Sequence, residues 1–161
     1  MPDARLANPG DLAAVQDITL AAYSAYLPVL GAMPLPVYAD HAAAIAQGQI
    51  WLIRDGPADA GLLVLETTPN HLMIESLAVL PSHQGRGLGR WMLGFAEQRA
   101  RSAGLPELRL YTNAKMVRNI HIYGLAGFFE TDRRPVPHRT DFVRVYMTKR
   151  LDDQAGQSPA T

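Results

Sequence analysis

The sequence predicts an α/β domain, a mixed sheet flanked by helices, and three observations carry that reading. Apolar runs at 50–54, 61–66 and 71–79 are joined by turns too short for parallel crossovers, so they form an antiparallel meander. A helical period then follows, with Leu88, Trp91, Met92, Phe95, Ala96 and Ala103 on one face. After that helix comes a strand at 107–112, and the helix is long enough to bring it parallel to the 71–79 strand.

The elements follow in order. Asp11 is placed to cap a helix in which Leu12, Val15, Ile18 and Ala22 recur at helical spacing, and Pro28 ends it. Residues 28–36 contain three prolines and Gly31 and read as an irregular loop. A helix from Val37 to Gln47 stops at Gly48. The strands Ile50–Arg54, Gly61–Glu66 and His71–Val79 are separated by turns at Asp55–Ala60 and Thr67–Asn70. The long helix ends at Gly104, with Arg99 and Arg101 complementing the dipole of its last turns. Asn113 is placed to cap a helix from Ala114 to Leu125. Phe128–Arg134 and Phe142–Lys149 read as closing strands joined by a loop at 135–141. Residues 1–151 form one domain, and the small, polar tail 152–161 is expected to be disordered.

Composition narrows the function. At 161 residues there is room for one domain. Fifteen basic and fifteen acidic residues leave no net charge, so neither nucleic acid nor a membrane surface is an expected partner. The absence of cysteine excludes disulfides, thiolate metal sites and a Cys nucleophile. Asp3, Asp11, Gln16 and Asp17 interrupt any signal-peptide core, and no run approaches the roughly 18 apolar residues of a membrane span, so the expected compartment is the cytoplasm. His41, His71, His83, His121 and His138 show no metal-ligand spacing, and no metal is expected.

The strongest chemical signal is Gln84-Gly85-Arg86-Gly87-Leu88-Gly89, between a strand and a helix. Glycines let the backbone approach an anion, and the helix start supplies unpaired N–H groups and the positive end of a dipole. Arg86 and Arg90 add full charges. The order is neither a dinucleotide fingerprint nor a P-loop, because the Gly-Lys-Ser/Thr ending is missing. A second signal is Asn119 and Tyr123, four apart on one helix face and followed by Gly127-Phe128. Read alone, the first signal could be a tight turn and Tyr123 a core residue.

Taken together, the two signals resemble the GCN5-related N-acetyltransferase (GNAT) superfamily over about residues 4–150. The resemblance implies a parallel strand pair splayed at a β-bulge, with acetyl-CoA entering the gap. On this sequence the backbone of Leu77, Ala78 and Val79 would pair with its acyl arm. The loop Gln84 to Gly89, Leu88 included, would take the pyrophosphate, with Arg90 nearby. Asn119 matches a cofactor-contacting position and Tyr123 the general acid beside the leaving thiolate. The expected reaction moves an acetyl group to a primary amine of a small molecule or peptide by direct attack. A non-catalytic acyl-CoA sensor on the same fold is the alternative, as is an unrelated phosphate-binding protein. Such folds often dimerise through edge strands, and a homodimer is one arrangement the resemblance allows.

Glu75 is the candidate base for the substrate ammonium, being two residues before Leu77 and four before Val79 on the same strand face. Its competing roles are orienting a neighbour or holding substrate, with bulk water taking the proton. Arg133, Arg134, His138 and Arg139 form a basic stretch that reads either as a solvated loop or as a site for an anionic substrate group. Tyr23, Tyr26 and Tyr38 flank the Pro-rich loop and either line an acceptor pocket or pack it.

Overall fold

Strand alternation and turn chemistry lay down the sheet much as the residues suggest. In the computed structural model, which describes residues 1–151, β2 (Ile50–Arg54), β3 (Asp59–Thr67) and β4 (Leu72–Val79) form the meander. The tail expected from Asp152 onward lies outside the described residues. A short strand that the sequence analysis did not anticipate, β1 (Asp3–Leu6), pairs antiparallel with β2. Its four residues, DARL, bury none of their side chains and carry no readable period, so cross-strand bonding rather than pattern makes it a strand. The seven-stranded sheet has the order β1-β2-β3-β4-β5-β7-β6.

The chain divides into two units. The first comprises Met1–Glu66 and Glu75–Met92. Here α1 (Leu12–Ser24) buries Val15, Ile18 and Ala22 in a cluster with Ile50, Leu52, Leu62 and Ala78. Asp11 does not cap α1 with its side chain. It instead accepts from the Asn8 backbone at 2.8 Å, closing a capping box on the preceding 3₁₀ turn, and pairs with Arg5 at 2.9 Å. Arg5 and these hydrogen bonds hold the Asp11 carboxyl below its ordinary range.

Pro28 does not end α1, which stops at Ser24. It sits in the first turn of a short helix, α2 (Leu27–Leu30), where the missing N–H has no partner to lose. The third helix, α3 (His41–Ala46), is shorter than expected. Asp40 caps it by accepting from Ala43 N at 3.0 Å, leaving Val37 and Tyr38 in a separate 3₁₀ turn.

The second unit takes Thr67–Ile74 and the residues from Leu93 onward. Its parallel pairing sets Leu72, Met73 and Ile74 opposite Leu108, Arg109 and Leu110 of β5 (Glu107–Asn113). The connecting helix, α4 (Leu88–Ser102), buries Leu88, Met92, Leu93, Ala96 and Ala100. Trp91 and Phe95 are only partly buried, because the buried stripe is centred one position further round the helix. Lys149 closes on Glu97 at 2.8 Å and Arg101 donates to the Leu151 carbonyl at 2.9 Å, fixing the C-terminal half of α4 to the end of β7.

The fifth helix, α5 (Val117–Leu125), starts later than the sequence suggests. Asn113 spends its side chain on the turn, accepting from Lys115 N at 2.9 Å. The closing strands β6 (Phe129–Val136) and β7 (Arg139–Arg150) are longer than expected. The residues read as a loop are mostly ladder, since Pro137 and His138 alone reverse the chain, with His138 at φ 64. The outer strand β6 carries register shifts after Glu130 and Pro135 and exposes Asp132, Arg133 and Arg134, features that blunt a sheet edge.

One glycine in the first unit is fixed by contact rather than by conformation. A Cβ on Gly61 of β3 would strike the Ala78 carbonyl oxygen of β4. Gly61→Ala should therefore destabilise the fold by about 1–3 kcal/mol, read as a lower urea midpoint at an unchanged m-value.

Candidate functional site

The loop between β4 and α4 combines left-handed backbone with open space. Gly85 and Gly87 both have φ 79, and nothing lies within 4 Å of where a Cβ would stand at Gly85, Gly87 or Gly89. The first bond of the α4 helix runs from Trp91 N to Gly87 O at 3.0 Å. The N–H groups of Leu88, Gly89 and Arg90 thus have no acceptor one turn earlier, and they lie at the positive end of a 15-residue helix. Arg86 and Arg90 are exposed, and neither has a carboxylate partner among the described residues. An open, donor-rich cradle of this kind fits a diphosphate. Gln84 takes a different part: its amide donates to the Val79 carbonyl at 3.1 Å and ties the loop to the end of β4.

On β4, burial alternates strictly. Leu72, Ile74, Ser76 and Ala78 are buried, and Met73, Glu75, Leu77 and Val79 are partly exposed. Glu75 therefore shares a side with Leu77 and Val79, as the spacing suggests. The register with β5 ends at Ile74, although β4 continues to Val79.

Two of the later carbonyls nonetheless have donors, and a third faces β3. Leu77 O accepts from the Tyr23 hydroxyl at 3.3 Å, Val79 O from Gln84, and Ala78 O faces Gly61. Tyr23 also meets Ser76 Oγ at 2.9 Å. Burial pushes the Tyr23 hydroxyl up to about 12, so it remains a protonated donor. The three N-terminal tyrosines do not act as one group. Tyr23 and Tyr26 are in ring contact at 6.1 Å, while Tyr38 is 70% exposed.

In the second unit, Asn119 and Tyr123 are half-buried on one face of α5, and His121 and Ile122 are exposed. The Tyr123 ring packs edge-on against Phe128 at 6.2 Å, and Phe128 N donates to Tyr123 O at 3.0 Å. Gly127, at φ 103, makes the bend that returns Phe128 to Tyr123. The basic stretch is largely neutralised within its own hairpin. Arg133 pairs with Glu130 at 2.9 Å, Arg134 with Asp132 at 3.1 Å and Arg139 with Asp141 at 3.8 Å.

Sequence reasoning passed over Ser76, and it passed over Tyr111, Arg144 and Tyr146, whose side chains are in contact. A buried serine amid apolar alternation was the available signal for Ser76. The other three meet only through cross-strand register. Among the described residues no three His, Cys, Asp or Glu gather as a metal site, and no helix is long and apolar enough to cross a membrane.

Tyr23→Phe should cost about 1–2 kcal/mol by stripping Ser76 and Leu77 of their partner. The raised value also sets a pH window. Below the ordinary tyrosine value of about 10 the stabilisation is complete, and it is lost as pH rises towards 12 because only the unfolded chain ionises there. Denaturation series should show the gap between wild type and Tyr23→Phe narrowing across that range.

The comparisons with known proteins bear on the family and the fold. The model of the Acetyltransferase (GNAT) family matches residues 17–128, from within α1 to Phe128. An IAA acetyltransferase of Azospirillum brasilense is 32% identical over 92 residues, which are 56% of this chain; the chain spans 59% of that relative's length. The paia N-acetyltransferase from Thermoplasma acidophilum, solved in complex with coenzyme A, superposes with a TM-score of 0.78 at 17% identity, over 94% of this chain and 99% of the other. The IAA acetyltransferase structure from Bacillus cereus gives 0.72 at 19% identity, over 94% and 100%. At such identities the two structures establish the fold. The family model takes in both the glycine loop and the Asn119–Phe128 segment, and the chain belongs to the GNAT acetyltransferase family.

Proposed function

We propose that this protein transfers an acetyl group from acetyl-CoA to a primary amine of a small molecule or peptide. The observation that carries the reading is the open glycine cradle at the start of α4. Backbone N–H groups from Gly85 to Arg90, with the Arg86 and Arg90 charges, hold the diphosphate. The acyl arm runs along Leu77, Ala78 and Val79. Their carbonyls already have partners or face β3, so N–H donors supply the pairing and stabilise the tetrahedral oxyanion. Asn119 contacts the cofactor through its amide.

In the reaction, Glu75 takes a proton from the substrate ammonium and the freed amine attacks the thioester carbonyl carbon. A C–N bond forms, the C–S bond breaks, Tyr123 gives its phenolic proton to the departing thiolate, and the second proton of the new amide nitrogen is lost and restores the phenol. No protein nucleophile is needed, in keeping with a chain that has no cysteine.

Calorimetric titration with acetyl-CoA, free CoA and ATP tests the first half. Selective binding of the CoA species is expected, with about ten-fold weaker affinity in Gly87→Ala because left-handed backbone resists a side chain. A folded protein that shows no preference for CoA would sink the proposal. Tyr123→Phe should bind acetyl-CoA as wild type does but release thiol about 100-fold more slowly with an accepted amine. Equal rates would remove Tyr123 from the chemistry. Tight binding with no thiol release across a broad amine panel would favour a sensor.

A further inference from the structure

The sheet of the second unit carries an arginine–tyrosine cluster that the acyl-transfer reading does not use. Register sets Tyr111 of β5 opposite Tyr146 of β7, and Asp132 and Arg134 of β6 opposite Tyr146 and Arg144. Cross-strand partners present their side chains on one side of a sheet, so these residues form a single surface. The Arg144 guanidinium stacks 4.1 Å from the centre of the Tyr111 ring, and that of Arg134 lies 4.5 Å from the Tyr146 ring. The two rings are 5.9 Å apart.

The charges at this surface do not balance. Arg134 has Asp132 at 3.1 Å, whereas the half-buried Arg144 has no carboxylate within ion-pair distance among the described residues. Elsewhere in the same sheet, arginines that serve the fold are closed by carboxylates: Arg109 by Glu107 at 2.7 Å and Arg133 by Glu130 at 2.9 Å. Burial alone would raise the Tyr146 hydroxyl, but the flanking guanidiniums outweigh it and hold the group below its ordinary value. A guanidinium can only donate, so the Tyr146 oxygen accepts from its arginine neighbours and its own proton stays available to an acceptor.

We propose that Arg134, Arg144 and Tyr146 form a binding site for a carboxylate. Two guanidiniums less one aspartate leave a single positive charge, which matches a carboxylate monoanion better than a phosphate dianion. Stacking on tyrosine fixes the planes of the guanidinium forks before the ligand arrives, and a planar fork meets a planar carboxylate through paired N–H bonds. The site stands independently of acyl transfer, since it is read from binding alone.

The test titrates the full chain, free of acyl-CoA, with sodium acetate and separately with sodium phosphate, chloride holding ionic strength constant. NMR signals of the arginine Nε–H groups and tyrosine rings report occupancy. Acetate should produce a saturable shift at Arg144 and Tyr146, with affinity about ten-fold weaker in Arg144→Gln and reduced in Tyr146→Phe. Arg150→Gln, a cation on the same strand outside the cluster, should bind as wild type does. If Arg144→Gln melts early, Arg134→Gln, whose side chain is 61% exposed, serves in its place with the same expectation. A shift no greater than that from chloride, equal loss in Arg150→Gln, or tighter binding of phosphate than acetate would each overturn the assignment.

Discussion

The parallel register of β4 with β5 lasts three residues, and the arrangement of β4 follows from where it stops. Beyond Ile74 the strand still has backbone carbonyls to satisfy, and buried polar groups left without partners are expensive. Two of them receive donors and a third faces a neighbouring strand. A phenol from α1 reaches Leu77, an amide from the following loop reaches Val79, and a glycine on β3 makes way for Ala78. Helix α1, the glycine loop and β3 are thereby registered on one short stretch of strand. The same stretch is the one proposed to present N–H donors to an acyl arm, so packing and chemistry share their constraints there.

Legibility from sequence tracked the range of the interaction. Period-two and helical periods are local, and they gave β2 to β5 and α4 to within a few residues. The glycine loop and the Asn119–Tyr123 face were also readable, because each lies within one turn of chain. Contacts between distant residues were not. Tyr23 meets Ser76 across 53 positions, and nothing local to either announces the other. Strand β1 exists only because β2 is beside it. A proline fits both a helix stop and a first helical turn, and Pro28 takes the second place, in a short helix whose Leu30 is buried.

Electrostatics in this chain is mostly local. Zero net charge offers no long-range steering, yet opposite charges are sorted into short-range pairs. The β6–β7 hairpin looks basic as a string of letters. Folded, its arginines are shared among Glu130, Asp132, Asp141 and aromatic rings. Exposed pairs of this sort contribute little to stability. Their effect is to cancel charge along the hairpin, which makes an uncancelled cation such as Arg144 conspicuous.

The glycine loop has a consequence for how the chain tolerates change. Space above Gly85 and Gly87 is open, so a scale based on side-chain volume would score both positions as permissive. Their backbone conformation says otherwise, because the penalty arises at the Cβ and scarcely grows with what is attached beyond it. A saturation scan should then be flat in size at these two sites, with alanine nearly as damaging as leucine and asparagine the mildest replacement. At Gly61 the profile should instead steepen with every added atom, since there the obstacle is another strand.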